Sequence, residues 1–348
     1  MASIPEVSRA RRREILALPP HPQLHEELLL ALGFDAALEV EAPPRADPRL
    51  ADCLRVVAWN AQRCRDPDAA AAMLGATGGG IFLLSELDFG MARSQQRHTA
   101  RELATRLGCG YAFGVEFLEL GLGDAHERAA HAGEENSAGY HGGAILSPGA
   151  LAGASLARIE RGGRWFDGAL GERRVGGRVA VLCRLPIGGC LVAFAAVHLE
   201  SHSDPDERAA QLETVFAAID EFAPGAPALV GGDVNTHSLG RAELSDRELL
   251  ARALAADPTR LAEPIRHEPL FALADRRGYD WRGCNALGTS TERRARSGES
   301  LRGTLALDWF FARGLELSEP AVIAAVDPAT GAALSDHEAI AVTIRCRS

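Results

Sequence analysis

Two kinds of segment alternate along the chain: runs that are apolar at nearly every position, and stretches that are apolar only at helical spacing. The continuous runs are LRVVAW (54–59), GIFLLSEL (80–87), GGAILS (142–147), RVAVLCRL (178–185), CLVAFAAVHL (190–199), APALVGG (226–232), LALDWFFA (305–312) and AIAVTI (339–344). Runs of this length, rich in β-branched and aromatic residues, predict buried strands. Between them, DAAAAMLGAT (68–77), QRHTARELATRLG (96–108) and DERAAQLETVFAAIDEF (206–222) predict helices, the last with Asp204 or Asp206 as N-cap. Strands follow strands as well as helices, which predicts an α+β layered fold rather than a simple βαβ alternation. Residues 1–52 read as a helical extension (RRREILAL, HEELLLALGF) and a linker (EAPPRADP), with the main domain over 53–348. The stretch 116–143 reads as a long insertion before a strand.

Composition narrows the class. The 348 residues are 47% hydrophobic and 24% charged, enough for a sizeable core. No run approaches the ~20 apolar residues of a membrane helix, and the N-terminus lacks the pattern of a signal peptide. Seven scattered cysteines without a C-x-x-C fit a reducing compartment, and a cytoplasmic location is expected. The net charge of −10 weighs against duplex nucleic acid as a partner. Lysine is absent, which excludes a P-loop lysine, a Schiff base and a Ser-Lys dyad.

The chemistry lies where the apolar runs end. Asn60 closes VVAWN, Glu86 stands near the end of FLLSELD, and His198 closes VAFAAVH. Asp233 and Asn235 follow two glycines in GGDVN, Asp308 interrupts LALDWFF, and Asp336 and His337 precede the last run. Singly, each has a plain structural explanation: a turn cap for Asn60, a satisfied core histidine for His198, a bond to a backbone N–H for Asp308. Taken together, four acids in or beside buried strands are costly unless paired or metal-bound. If the strand ends share one rim, mutual repulsion calls for a cation. Oxygen donors without a cysteine cluster favour Mg²⁺ or Mn²⁺.

In order, VAWN, LLSELD, GGAILS, VHLES…DERAAQ, GGDVN, LDWFF and LSDHEAI resemble the motifs of the endonuclease/exonuclease/phosphatase superfamily, over about residues 54–346. The resemblance implies a two-layer β-sandwich flanked by helices with an active site at one edge. It implies a divalent-metal-dependent phosphoester hydrolase, first of all on a phosphodiester. A phosphomonoesterase or nuclease, and a catalytically silent phosphoester-binding protein, are the alternatives. It assigns Glu86 to the metal, with Asn60 and Asp336 beside it. Asp233 is then the residue that orients or deprotonates water, and Asn235 the one that positions Asp233 and contacts phosphate. His198 is a phosphate contact, and Asp308 orients His337. Whether Asp233 or His337 is the general base, and whether one metal or two is bound, stays open. Arg208 and Gln211 match a helix motif with a structural role.

Two arginine-rich segments offer substrate contacts, with solvated loop tips as the alternative. The first carries Arg161, Arg164, Arg173, Arg174 and Arg178, and the second Arg293, Arg294, Arg296 and Arg302. Arg178, beside two glycines at a strand start, is the leading candidate. Trp165 and Trp281 suit either stacking on substrate or packing. His126, His131 and His141 match no standard metal-site spacing.

Overall fold

A computed structural model describes residues 4–45, 50–237, 247–257, 259, 263–296, 299–302 and 305–347. Two sheets face each other. The first runs β1 (Leu38–Glu41), β4 (Gly110–Glu119), β5 (Tyr140–Ser147), β3 (Ile81–Phe89), β2 (Cys53–Arg63), β15 (Ala339–Cys346) and β14 (Leu315–Ile323), with β7 (Arg174–Gly176) added to β4. The second runs β13 (Asp308–Arg313), β10 (Ala228–Asp233), β9 (Cys190–His198), β8 (Val179–Ile187) and β6 (Ala154–Arg158). A hairpin, β11 (Arg293–Arg296) and β12 (Glu299–Arg302), lies outside both.

Alternate residues of each central strand enter different cores, which is why the runs are continuously apolar. Val56, Ala58 and Leu83 face inward and meet Val181, Phe194, Leu229 and Phe310 of the other sheet. Their neighbours Val57, Trp59, Phe82 and Leu84 face outward against Leu28 and Leu29 of α2 (Pro22–Ala31), Met73 and Leu74 of α3 (Pro67–Ala76) and Leu103 of α4 (Thr99–Leu107). On the far side Val197, Val230 and Phe311 pack under Leu212, Val215 and Phe216 of α6 (Pro205–Phe222) and under Phe271. The result is a helix/sheet/sheet/helix sandwich. Asp204 is the N-cap of α6 and forms a reciprocal capping box with Glu207.

The first residues pack on the outer face of the first sheet. Ile15 of α1 (Arg9–Ala17), Leu28, Leu29 and Phe34 are buried there, and β1 pairs antiparallel with β4 from Leu38↔Gly114 to Glu41↔Tyr111. The stretch 116–143 is more regular than an insertion: it begins inside β4, carries α5 (Ala125–Ala130) and ends inside β5. Its strand is hidden in the sequence because Glu116 and Glu119, both buried, interrupt the apolar pattern. The edge strands β1, β6 and β14 escape the pattern for a different reason. Much of each is only partly covered, so polar residues are tolerated. The cysteines are all free, and Cys64, Cys109, Cys183, Cys284 and Cys346 are buried.

Candidate active site

Register places the first three groups. β10 lies parallel to β9 and antiparallel to β13, and its last residue, Asp233, pairs with His198 on one side and Asp308 on the other. The preceding glycines permit the close approach of these strands. At Gly232, with φ +146°, a Cβ would lie 2.0 Å from the Val197 carbonyl, and at Gly231 it would lie 2.5 Å from the Phe310 ring. Past the strand, Asn235 adopts φ +53° and its backbone N–H donates to Asp233 Oδ1 at 2.9 Å. The Asn235 amide donates to the Leu199 carbonyl at 2.9 Å, anchoring the turn.

The other sheet supplies Asn60 and Glu86 from parallel strands β2 and β3. Both strands shift register at this point, after Asn60 and between Leu84 and Leu87. The irregularity turns Glu86 into a left-handed conformation at φ +54°, and Gln62, Arg63 and Cys64 follow at +42°, +75° and +49°. Left-handed non-glycine residues cost about 1–3 kcal/mol each and gather at functional sites. Asn60 Nδ2 donates to Glu86 Oε1 at 3.2 Å and to Asp233 Oδ2 at 2.9 Å, and so ties the two sheets together. Its oxygen accepts from the Gln62 N–H at 3.1 Å. The Arg63 guanidinium donates to Glu86 Oε2.

His337 arrives from the loop before β15. Ser335 Oγ donates to the Asn60 carbonyl at 2.7 Å and Trp59 Nε1 to the His337 carbonyl at 3.2 Å, which locks that loop to β2. His337 Nδ1 pairs with Asp308 Oδ2 at 2.9 Å, and Nε2 lies 3.6 Å from Asp233 Oδ2. On the opposite side His198 Nε2 lies 3.4 Å from the same oxygen. Arg178 Nη1 donates to His198 Nδ1 at 2.8 Å and to Glu116 Oε2 at 2.8 Å, while its Nε donates to Glu200 Oε2 at 3.2 Å. An arginine only donates, so His198 Nδ1 accepts and the neutral ring carries its proton on Nε2, toward Asp233.

The electrostatics separate the roles. Burial and the Arg178 charge hold the His198 imidazole well below its usual range. Burial works against charge on His337 too, but Asp308 and Asp233 outweigh it and raise its pKa well above the ordinary value. Asp233 is pushed up to about 7 by burial, against the pull of His337, with the Asp308 charge adding to the rise. Burial also opposes ionisation of Glu86, yet Arg63 and the surrounding imidazoles keep it well below the carboxylate range. The cavity between these groups measures about 160 Å³ and is lined by Glu86, Asp233, Asn235, His198, His337 and Arg178, among others.

Asp336 is exposed and is not among the residues that line the cavity; its carbonyl accepts from the Arg293 N–H at 2.6 Å. Arg208 is fully buried in a two-bond pair with Glu268, and Gln211 accepts the Glu200 N–H at 2.9 Å. Among the arginine-rich segments, only Arg174 and Arg178 line the cavity among the described residues. Arg161 lies 3.7 Å from Asp35, Arg164 bonds Glu207 at 2.8 Å, and Arg173 bonds the Leu16 and Leu18 carbonyls. Arg293 is buried against Glu338, while the side chains of Arg294, Arg296 and Arg302 lie outside the described residues. Trp165 lines the cavity and donates to Glu200 at 2.9 Å, whereas Trp281 packs against Phe271 in the core. His141 pairs with Asp88 at 2.8 Å and lines the cavity, while His126 is exposed and His131 pairs with Glu134. Arg63, Glu116, Glu172 and Glu200 also belong to this neighbourhood. Of these, Glu116 has a signal in the sequence, an acid inside the otherwise apolar GYAFGVEFLE, whereas Arg63, Glu172 and Glu200 stand at or beside strand ends, where a charge is unremarkable.

The sequence model of the Endonuclease/Exonuclease/phosphatase family matches residues 57–337. The chain belongs to this family. Solved structures carry the same fold at low identity. One is the endonuclease/exonuclease/phosphatase from Beutenbergia cavernae, at 17% identity and TM-score 0.58, covering 84% of this chain and 72% of that one. Another is the family protein from Bacteroides vulgatus, at 12% identity and TM-score 0.53, covering 85% of this chain and 99% of that one. A functionally unknown conserved protein from Enterococcus faecalis is similar at 12% identity and TM-score 0.53, with 84% and 100% covered. Among curated proteins, none matches. Among the described residues no helix is long and apolar enough to cross a membrane.

Enzymes of the family generally depend on a divalent metal ion. The donors here fit a hard cation in kind. Glu86 and Asp233 offer carboxylate oxygens to either side of Asn60, and Asp308 Oδ1 is buried without a hydrogen-bond partner. Asp233, Asp308 and His337 cluster with one nitrogen or oxygen each within 4.8 Å of the others, but the raised pKa of His337 keeps its ring protonated, so the carboxylates are the donors.

Proposed function

We propose that this protein hydrolyses a phosphoester bond with the help of Mg²⁺ or Mn²⁺, with Asp233 activating the attacking water. The observation that carries the reading is the position of Asp233 Oδ2, which takes the Asn60 amide at 2.9 Å and has His198 and His337 at 3.4 and 3.6 Å. A carboxyl pushed up to about 7 is matched to proton uptake near neutral pH. Asn235 fixes that carboxylate through its backbone N–H. The Asp308–His337 pair keeps the imidazolium charged, so His337 donates a hydrogen bond to the phosphoryl oxygen as negative charge develops there. This arrangement favours His337 as electrostatic stabiliser and Asp233 as base. His198, with its proton on Nε2, and Arg178 behind it supply further donors to the phosphate. Glu86 would hold the cation, which supplies Lewis-acid polarisation of the phosphoryl oxygen when bound.

The test is hydrolysis of matched phosphomonoesters, phosphodiesters and plasmid DNA with Mg²⁺, Mn²⁺ and EDTA. Asp233→Asn is expected to lower kcat by about 10²–10⁴, and His337→Ala by about 10²–10³, both with a native melting transition. Near-normal rates in both variants overturn the assignment. Tight phosphoester binding without metal-dependent turnover marks a binding protein instead.

A further inference from the structure

We infer that the cavity is built to take the terminal phosphate of a small molecule, held by Arg63, Arg174 and Arg178. The inference rests on the phosphoesterase reading above and names the substrate class for that site.

All three arginines line the cavity. They come from three places in the fold: the left-handed end of β2, the short strand β7 and the start of β8. Arg174 and Arg178 are anchored through Nε and one terminal nitrogen, and Arg63 through Nη1, with its Nε in ion-pair range only. Arg63 uses Nη1 on Glu86 and Nε, at 3.5 Å, toward Glu127. Arg174 uses Nε on Glu172 at 2.9 Å and Nη2 toward Glu119 at 3.2 Å. Arg178 uses Nη1 on Glu116 and Nε on Glu200. The remaining nitrogens, Nη2 of Arg63, Nη1 of Arg174 and Nη2 of Arg178, make no hydrogen bond to any described residue.

Aromatic faces fix two of the guanidinium planes. Arg174 lies 4.4 Å from the Trp165 ring centre and 5.1 Å from that of Phe117, and Arg178 lies 5.3 Å from Phe117. The carboxylates behind the arginines balance their charge and hold them in place. What the cavity offers is therefore a set of guanidinium donors held by carboxylates, not a diffuse positive field. A terminal phosphate presents three non-bridging oxygens. A phosphodiester presents two, and its second ester arm needs room of its own. Arginine donors added to those of His198 and His337 suit the group with more non-bridging oxygens and more charge. A cavity of about 160 Å³ is also smaller than the ~300–1,000 Å³ of sites that enclose drug-sized ligands. The phosphomonoester is thus favoured over the diester to which the sequence motifs point first.

The experiment separates recognition from catalysis. Binding of inorganic phosphate and of dimethyl phosphate is measured by calorimetry on the full chain, at pH 8 with EDTA. Phosphate is expected to bind about tenfold or more tightly than dimethyl phosphate, the discrimination of one charge-assisted hydrogen bond. Arg174→Lys, which keeps the charge and loses the fork, should reduce that preference below about threefold. Arg63→Gln serves as the second variant if Arg174→Lys does not fold. Equal wild-type affinities, or a preference that survives in the folded variant, overturn the inference. Turnover of a phosphomonoester and its methyl ester with Mn²⁺ then tests the two readings apart. Faster hydrolysis of the methyl ester overturns the terminal-phosphate site and leaves the phosphoesterase standing. Phosphate preference without turnover of either ester does the reverse.

Discussion

Replacing Arg93 by Met should destabilise the fold by about 4 kcal/mol, because it removes the shared cation of a buried carboxylate cluster. The Arg93 side chain is 1% exposed, and its fork bonds Asp88 twice at 2.9 Å, Glu119 at 3.0 Å and Glu127 at 3.1 Å. Methionine keeps the apolar stem and loses the charge. Removing one partner of a buried pair costs about 3–5 kcal/mol. Three carboxylates are affected here, but each retains another cation or imidazole: Asp88 keeps His141 at 2.8 Å, Glu119 keeps Arg174 at 3.2 Å, and Glu127 keeps Arg65 at 3.0 Å. The total therefore stays near the cost of one broken pair instead of three. Set against a typical folding stability of about 5–15 kcal/mol, a loss of this size is unmistakable.

The assay is urea unfolding followed by tryptophan fluorescence, in which the midpoint falls while the slope is unchanged. Two controls identify the cause. Raising NaCl to about 1 M should leave the deficit intact, since buried contacts escape screening. Lowering the pH should narrow it. In the native protein burial pushes the Asp88 carboxyl up, but Arg93 outweighs it and holds the group far below the ordinary range. Its contribution is present at neutral pH and lost only as pH falls through that depressed value. Without Arg93 the carboxyl takes up a proton at higher pH, so the variant is relieved first. A deficit under about 1 kcal/mol, the size of an exposed ion pair, or one erased by salt refutes the reasoning. The cluster also bears on chemistry, because Asp88 lies two residues from Glu86 and His141 lines the cavity.

Gly232→Ala should cost about 3 kcal/mol from its conformation alone and also abolish activity, since a Cβ 2.0 Å from the Val197 carbonyl forces β10 away from β9 and takes Asp233 with it. An unchanged melting temperature would sink that account. Glu39 is held at about 2, first by the hydrogen bond from His98 and further by Tyr111 and Arg101. Its depressed pKa stabilises the fold fully above the ordinary value of 4.5, and the stabilisation is lost as pH falls through about 2. Glu39→Gln should therefore lose about 1–2 kcal/mol at pH 6, allowing for partial solvent screening, and progressively less as pH falls through about 2. Parallel stability–pH curves for the two proteins would contradict the assignment.

Most of the central strands are legible in the sequence because both faces of each are buried. β2, β3, β9 and β10 read as apolar runs for that reason, and the start of α6 is legible to within Asp204 or Asp206, between which the structure selects Asp204. The residues of the rim are also legible one at a time, because Asn60, Glu86, His198, Asp233, Asp308 and His337 are polar where a buried strand has no use for polarity. What a linear pattern does not contain is register. The pairing of Asp233 with both His198 and Asp308, the irregularity that turns Glu86 toward Asn60, and the pairing of β15 with β2 that delivers His337 bring groups more than 270 residues apart into one cavity. The same limit hides Glu116, Glu119 and Arg93. Their charges break the apolar pattern and look like loop residues until the fold supplies each with a buried partner. Local periodicity is a property of neighbours in the chain, whereas the compensation of a buried charge depends on neighbours in space.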